Sequence, residues 1–348
     1  MNELNGRKPN AAGRSTSAHA AALILAGALV ASMAAPAAAK EEWKLGTVGA
    51  PGSGLLRMGE IVAEGMTKGG GDEFSVHTQS IANEQEMVQQ VIRGRIQVGA
   101  TSGQGLGAAV PDASVLAFPF LWDNDKQRDY VMQKFVKPVL GEILAKKGLQ
   151  ILEIADAAYY GVFCHFDCRD PASLKNVKVR VSPTAASRLF WTEIGANPVQ
   201  LPISELWPGL EQNLVRAADI PLPFYITTPA QQSAPHFVNT NHFHAAWIYF
   251  MNKRLHDGLS DTRRKALADN LPSGQALIAV YAKDVAEARV KHESRGGRFY
   301  EIGDELKAKW RSGIEAKIPE LLKTMGPDAQ TLYDAIRAGK AEAAKVAG

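Results

Sequence analysis

The chain has 348 residues, of which 46% are hydrophobic, enough to bury a large core and to predict a division into two lobes. Its 39 basic and 36 acidic side chains give a formal net charge of +3, which is too small to indicate a nucleic-acid-binding protein. Beyond residue 39, no stretch approaches the ~20 consecutive apolar residues of a membrane-spanning helix, so the sequence predicts a protein that is not embedded in a membrane.

The first 39 residues have the pattern of a secretory signal peptide. A basic start at Arg7, Lys8 and Arg14 precedes the apolar run Ala20 to Met33, and an Ala-x-Ala cleavage pattern ends at Ala39. We therefore predict Sec export to the periplasm with cleavage after Ala39, and the alternative is an uncleaved anchor. Removal of this segment leaves a net charge of about +1.

Alternating strands and helices are predicted after the signal peptide. The strands are Trp43 to Val48, Phe74 to Gln79 and Ile96 to Ala100, and the helices are Leu55 to Met66 and Glu84 to Arg93. Asn83 precedes the second helix as a candidate N-cap. This β-α-β-α-β order predicts a parallel sheet with both faces covered.

A glycine-containing loop, Thr101 to Gly107, follows the third predicted strand. No Lys followed by Ser or Thr ends it, so it is not a P-loop, and its glycine spacing does not fit a dinucleotide fingerprint. By itself, the loop is explained equally well as a plain strand-to-helix turn or as a place where polar side chains meet a ligand.

Both cysteines, Cys164 and Cys168, belong to the exported part of the chain. In an oxidising periplasm their spacing favours a structural disulfide over a short loop, although unpaired thiols and a redox site remain alternatives.

Arg180 lies at the carboxyl end of a predicted strand in which Val177, Val179 and Val181 alternate with charged side chains. Open α/β sheets bind their ligands at the carboxyl ends of strands. A guanidinium group suits a carboxylate, because it can donate two parallel hydrogen bonds. The alternative is an arginine that reaches water or pairs with a surface acid.

Candidates for metal binding and catalysis are weak. His236, His242 and His244 lie close together, but no Cys or acidic residue stands at a ligand spacing nearby, so we predict ordinary strand histidines and no metal. Ser53 lies between glycines without the Gly-x-Ser-x-Gly elbow. We predict a protein that is not an enzyme and has no cofactor, with an exported hydrolase as the weaker alternative.

The most specific pattern in the chain is an ordered set of residues between positions 174 and 210. Its members are Leu174, Lys175, Lys178, Val179, Arg180, Val181, Gly195, Ala196, Pro198, Ser204, Glu205, Leu206, Trp207 and Leu210. The set resembles the DctP-type solute-binding proteins of TRAP transporters. Residues 94–97, 117–121 and 238–242 match further motifs of that family, and the resemblance extends from Trp43 to about Arg337.

The resemblance implies an α/β, two-lobed periplasmic-binding-protein-like fold (type II-like, closing as a flytrap). Lobe one would comprise residues 40–156 and 246–282, and lobe two residues 157–245 and 297–340. A long helix over residues 275–296 would span both lobes.

The resemblance also implies a set of ligand-binding residues in the cleft between the lobes. Arg180 would hold the ligand carboxylate, and the other contacts would come from Asn83, Thr101, Ser102, Phe163, Ile203, Ile220, Phe224 and His242. Glu205, Trp207 and Asp219 would lie behind the ligand-binding residues and hold them in position without contacting the ligand. Family members commonly have Asn at the position of Ile220, and many have Arg at that of Phe163, so these departures predict a rather hydrophobic organic acid.

The function implied by the resemblance is transport. A monomeric receptor would bind a small organic acid in the periplasm and deliver it to the membrane subunits of a TRAP transporter, which is driven by an ion gradient. The alternative is a sensory or accessory protein that presents a bound metabolite to a membrane signalling partner.

Overall fold

The computed structural model describes residues 39–346, apart from the side chains at positions 156, 157 and 346. The predicted signal peptide therefore lies outside the described residues, except for Ala39. Within this range the strands are β1 (Glu41–Thr47), β2 (Phe74–Ser80), β3 (Val98–Ser102), β4 (Leu149–Cys164), β5 (Lys178–Val181), β6 (Asn197–Gln200), β7 (Ala217–Pro221), β8 (His236–Asn239), β9 (His244–Asn252) and β10 (Arg298–Glu301).

Helices cover most of the remaining chain. They are α1 (Gly54–Gly70), α2 (Glu84–Ile92), α3 (Gly103–Ala109), α4 (Asp125–Val131), α5 (Lys137–Lys146), α6 (Ala185–Glu193), α7 (Ile203–Glu211), α8 (Leu222–Tyr225), α9 (Ala230–Ser233), α10 (Lys253–Gly258), α11 (Asp261–Asn270), α12 (Gly274–Ser294), α13 (Asp304–Arg311), α14 (Ile314–Leu322) and α15 (Ala329–Val346). A 3-10 helix, Pro111–Ala117, lies between α3 and α4. None of the helices in the described part of the chain combines the length and the apolar character needed to cross a bilayer.

The described strands form one mixed sheet. Its order is β2-β1-β3-β9-β4-β7-β5-β6, with β8 pairing to β4 and β10 to β8. The pairs that follow the predicted β-α-β units, such as β1 with β2 and with β3, are parallel. β9 instead pairs antiparallel with both β3 and β4, so the sheet is mixed rather than purely parallel.

The sixteen-residue strand β4 divides the sheet into two halves. Its first part pairs with β9, and its last part pairs with β7 and β8. We call the part around β1, β2 and β3 the first half and the part around β5 to β8 the second half. Two hydrophobic clusters fill the first half, and a separate cluster fills the second.

Helix α12 packs against both halves. Ser273 caps its N-terminus, and the predicted bounds 275–296 agree with the observed helix within two residues. Leu277 and Tyr281, near its start, join a cluster of the first half, whereas Ala288 joins the cluster of the second half.

The C-terminal helices differ from the predicted division. Trp310 and Ile314 pack in the second half, as the resemblance implied, but Leu332 and Ile336 of α15 belong to a cluster of the first half. The apolar face of α15 is buried there against the 3-10 helix and α4, so residues beyond about 318 leave the predicted lobe two.

Cys164 and Cys168 form a disulfide with an Sγ–Sγ distance of 2.03 Å, which confirms the structural bridge among the alternatives. Both side chains are buried in the core of the second half, Cys164 at the end of β4 and Cys168 in the segment that follows it.

Candidate functional site

A cavity lies where the carboxyl ends of β3, β5 and β7 approach one another. Because this arrangement brings strand ends from both halves together, it corresponds to the place where open α/β sheets bind ligands. The cavity is small, about 50 Å³, and its polar lining residues include Glu84, Ser102, Gln104, Arg180 and Ser182.

Arg180 is buried beside the cavity, with 3% of its surface exposed. Its Nε donates to the backbone oxygen of Leu201 at 3.0 Å, and its Nη1 donates to Ser182 Oγ at 3.0 Å. Within residues 39–346 no carboxylate lies within 4.0 Å of its nitrogens. Burial lowers the pKa of Arg180, and the nearby charges of Asp219 and Glu84 oppose that shift.

Glu84 supplies a negative charge on the first-half side of the same cavity. It is the first residue of α2, where a carboxylate is favoured by the helix dipole. Its Oε1 accepts from Ser102 N at 2.7 Å and Thr101 Oγ1 at 3.0 Å, and its Oε2 accepts from Ser102 Oγ at 3.1 Å. Glu84 was not predicted as a site residue, because an acid that follows an N-cap is common in any helix.

Gln104 reaches the cavity from α3 and was also missed. Its Oε1 accepts from Thr184 Oγ1 at 2.8 Å, and this bond joins the first half to the start of α6 in the second half. Its Nε2 is buried and has no hydrogen-bond partner in the described part of the chain. The glycines on either side of Gln104 mark the loop as a candidate ligand contact, but no feature of the sequence distinguishes the glutamine from its neighbours.

Apolar side chains make up much of the remaining lining. Ile203, Ile220 and Phe224 line the cavity together with Trp247 and Tyr281. The polar lining residues around Arg180 are called the anchor region below.

The remaining predicted polar contacts lie around the anchor region. Ser102 lines the cavity, whereas Thr101 is buried behind it and donates to Glu84. Asn83 caps α2 by accepting from Glu86 N at 3.1 Å and lines an adjoining opening that Arg180 also borders.

Phe163 differs from the sequence prediction, because the structure places it in the core of the second half. Its side chain is not exposed, and its ring centroid lies 4.8 Å from that of Tyr225. Successive residues of a strand face opposite sides of the sheet. Tyr160 lines the cavity, so Phe163, an odd number of residues further along β4, points the other way.

His242 also lies outside the cavity. It is buried against Phe190, with ring centroids 3.9 Å apart, and its Nε2 lies 3.2 Å from Asp219 Oδ2. Burial lowers the pKa of His242, and the hydrogen bond with Asp219 only partly offsets this shift. The structure thus gives His242 a packing role that its position next to a strand end did not reveal.

Of the three residues that the resemblance placed behind the site, only Asp219 is buried next to it. Trp207 is half-buried beside Phe224, with ring centroids 6.4 Å apart. Glu205 is exposed in the first turn of α7 and makes no hydrogen bond to Arg180. Across residues 39–346, no three His, Cys, Asp or Glu side chains converge in a way that could hold a metal ion.

Known proteins match this chain over most of its length. A family model described as bacterial extracellular solute-binding protein, family 7, matches residues 56–324. The 2,3-diketo-L-gulonate-binding periplasmic protein of Escherichia coli K12 is 25% identical over 213 residues, and the alignment covers 61% of this chain and 64% of that relative. The C4-dicarboxylate-binding periplasmic protein of Rhodobacter capsulatus is 24% identical over 329 residues, with 92% and 98% covered.

A solved structure shares the fold. The TRAP periplasmic solute-binding protein of Roseobacter denitrificans, crystallised with β-D-glucuronate, superposes with a TM-score of 0.80 at 21% identity, covering 86% of this chain and 99% of that one. This likeness confirms the two-lobed α/β fold that the sequence predicted. Because the family model spans more than half of the chain, this protein belongs to the bacterial extracellular solute-binding proteins of family 7, the family of the TRAP solute receptors.

Proposed function

We propose that this protein is a periplasmic receptor that binds a small hydroxylated organic acid in the cavity between its two halves and delivers it to the membrane subunits of a TRAP transporter. The observation that carries the proposal is Arg180, a buried guanidinium with no carboxylate of the described chain within 4.0 Å.

A ligand carboxylate is the group that best satisfies this arginine. A buried charge without a counter-charge is costly. In the described chain, Arg180 donates hydrogen bonds only to the neutral oxygens of Leu201 and Ser182. A carboxylate that enters the cavity would supply the missing charge and accept charge-assisted hydrogen bonds from the guanidinium.

The position of Glu84 favours a ligand that carries a hydroxyl group as well as the carboxylate. Its carboxylate accepts three hydrogen bonds from Thr101 and Ser102, and a carboxylate has about four acceptor sites, so one more donor can be accommodated. A ligand that carried only a carboxylate would bring one negative charge towards another. A ligand with a hydroxyl near its carboxylate would donate to Glu84 and remove this conflict.

The expectation of a rather hydrophobic acid receives no support from the relatives, whose names and ligands refer to 2,3-diketo-L-gulonate, C4-dicarboxylates and glucuronate. It rested in part on Phe163, which lies in the core. Ile203, Ile220 and Phe224 remain as apolar lining residues, which suit the carbon face of a sugar acid or a short carbon chain.

We further propose that the chain is exported with cleavage after Ala39, acts as a monomer and performs no chemical conversion. The basic start, apolar run and Ala-x-Ala ending of the first 39 residues support export. Family membership supports a role as a receptor in transport.

The proposal is tested by calorimetry on the mature protein with D-glucuronate, D-galactonate, succinate and cyclohexanecarboxylate, which is a ring acid without hydroxyls. We expect at least one hydroxylated acid to bind more tightly than cyclohexanecarboxylate. In an Arg180→Met variant, that affinity should fall by roughly 2–5 kcal/mol, because an ion pair desolvated in the cavity is lost. Arg188, an exposed arginine of α6, provides the matched control: Arg188→Met should bind as the wild type does.

Two results would contradict the proposal. One is an unchanged dissociation constant in Arg180→Met. The other is a preference for cyclohexanecarboxylate over every hydroxylated acid in the panel.

A further inference from the structure

We propose that Gln104 is a clasp between the two halves: its amide nitrogen donates to the ligand carboxylate beside Arg180, while its carbonyl oxygen holds Thr184 across the cleft. Gln104 would thus determine both how the acid is oriented and how strongly its binding favours the closed state. The inference rests on the proposed function, because it specifies a second donor for the same carboxylate.

The first observation is the state of the Gln104 amide. Its side chain is only 4% exposed, yet Nε2 has no hydrogen-bond partner in the described residues. A buried donor without an acceptor costs free energy, so such groups require an explanation. Gln104 lines this cavity and also the adjoining opening, and in both places it is accompanied by Arg180 and Ser182.

The second observation is the direction of the bond to Thr184. Thr184 is the N-cap of α6, and its Oγ1 accepts from Ser187 N at 3.2 Å. The hydroxyl proton therefore remains available for Gln104 Oε1, 2.8 Å away. This bond orients the carbonyl oxygen of Gln104 towards the second half and leaves its amide nitrogen without a partner in the described residues.

The third observation is that side chains with donors from both halves, Gln104, Arg180 and Ser182, line the same cavity. Arg180 Nη2 makes no hydrogen bond within the described residues, and Ser182 Oγ accepts from Arg180 Nη1, which leaves the Ser182 proton free to donate. A carboxylate accepts at about four sites. One carboxylate can therefore bond to Gln104 from the first half and to Arg180 and Ser182 from the second.

Such a shared carboxylate would couple binding to closure. A ligand shifts a conformational equilibrium only by its preference for one of the two states. When the halves separate, the bond between Gln104 and Thr184 breaks, and Gln104 can no longer reach a carboxylate that is held on Arg180. The ligand would therefore gain the Gln104 hydrogen bond only in the closed state.

The test compares Gln104→Leu, which keeps the approximate shape but has no donor, with Thr184→Val and Thr184→Ser. The probes are D-glucuronate, D-galactonate and succinate. Calorimetry gives the affinity, small-angle scattering gives the ligand-induced closure, and thermal unfolding is measured with and without ligand. We expect Gln104→Leu to weaken binding of the preferred acid about tenfold or more and to reduce closure.

Thr184→Ser, which keeps the hydroxyl, should behave as the wild type. Thr184→Val should weaken binding in the same direction as Gln104→Leu. The melting temperature of ligand-free Gln104→Leu should fall no further than that of Thr184→Val, because both variants lose the same hydrogen bond, whereas its increase on addition of ligand should shrink. A purely structural role for Gln104 would instead lower the ligand-free melting temperature of Gln104→Leu further and leave the affinity unchanged.

The inference is overturned if the dissociation constant of Gln104→Leu lies within about twofold of the wild-type value and the variant closes fully, while Arg180→Met has lost binding. In that case the proposed function stands, but Gln104 is not a clasp. If the wild type binds none of the three acids, the proposed function and the clasp are both rejected.

Discussion

Asp219 and His242 lie 3.2 Å apart, between Oδ2 and Nε2, and neither side chain is exposed. Trp191 Nε1 donates to the other carboxylate oxygen at 3.3 Å, and Thr240 Oγ1 lies 2.6 Å from His242 Nδ1. Asp219 is thus engaged by the core of the second half rather than by Arg180. The negative charge of Asp219 still raises the pKa of Arg180 without a direct contact, so the guanidinium remains available to a ligand.

Five histidines with lowered pKa values, three of them buried and two half-buried, predict a loss of stability in mild acid. Burial is the largest cause of a lowered pKa for His165, His236, His242, His244 and His292. In the unfolded chain each would titrate near pH 6.5. As the pH falls below that value, the unfolded state binds protons that the folded state does not, so the free energy of unfolding decreases until the lower folded-state pKa is reached.

The contribution of His242 can be isolated with His242→Gln, which retains an amide donor for Asp219 but does not titrate. We expect the decline in the free energy of unfolding between pH 6.5 and pH 5 to become shallower by at most about 1.4 kcal/mol per pH unit. Urea denaturation at several pH values measures this slope. The two proteins should have equal slopes above pH 7.5, and equal slopes at pH 5 to 6.5 would contradict the prediction.

Phe190 is expected to be a major source of stability in the second half. Its ring stacks on His242 at 3.9 Å and on Trp310 at 5.8 Å, and it is fully buried. Phe190→Ala should lower the free energy of unfolding by about 3–5 kcal/mol, because it leaves a cavity under two rings. Val290, which is 67% exposed, is the control: Val290→Ala should change stability by less than about 0.5 kcal/mol. A loss of under about 1 kcal/mol in Phe190→Ala would show that the stack contributes little.

Removal of the disulfide should have a modest effect, because Cys164 and Cys168 are only four positions apart. The chain-entropy relation for such a short loop gives about 2 kcal/mol. We expect the double variant Cys164→Ala, Cys168→Ala to lose about this much in denaturant unfolding and to be insensitive to reductant. The wild type should lose a similar amount when reductant is added. A double variant as stable as the oxidised wild type would refute the prediction.

Gly274 is expected to tolerate no side chain. It begins α12, and a Cβ at this position would lie 2.3 Å from the backbone oxygen of Ile154, which cannot move without displacing β4. Gly274→Ala should therefore destabilise the protein by about 1–3 kcal/mol. A Cβ at Gly258 would meet no atom within 4 Å, so Gly258→Ala serves as the control and should be neutral or slightly stabilising. Thermal unfolding of both variants distinguishes these outcomes.

Local features of the sequence were sufficient to predict several individual helices and strands. The helix predicted from Glu84 to Arg93 is observed as Glu84–Ile92, and Asn83 caps it as expected, because a cap and an apolar periodicity are properties of neighbouring residues. The strand that carries Arg180 was found for the same reason. The antiparallel pairing of β9 with β3 and β4 was not predicted, since it joins residues 85 or more positions apart along the chain.

The ordered motifs of the chain alone determined its family and its two-lobed α/β class, and they predicted Arg180 as a ligand contact, because these inferences depend on patterns within short segments. Only the tertiary structure decided that Gln104 and Glu84 meet Arg180 in one cavity, while Phe163 and His242 face the core. The physical reason is that a strand presents alternate residues to opposite faces, and distant partners decide which face becomes core and which becomes cavity.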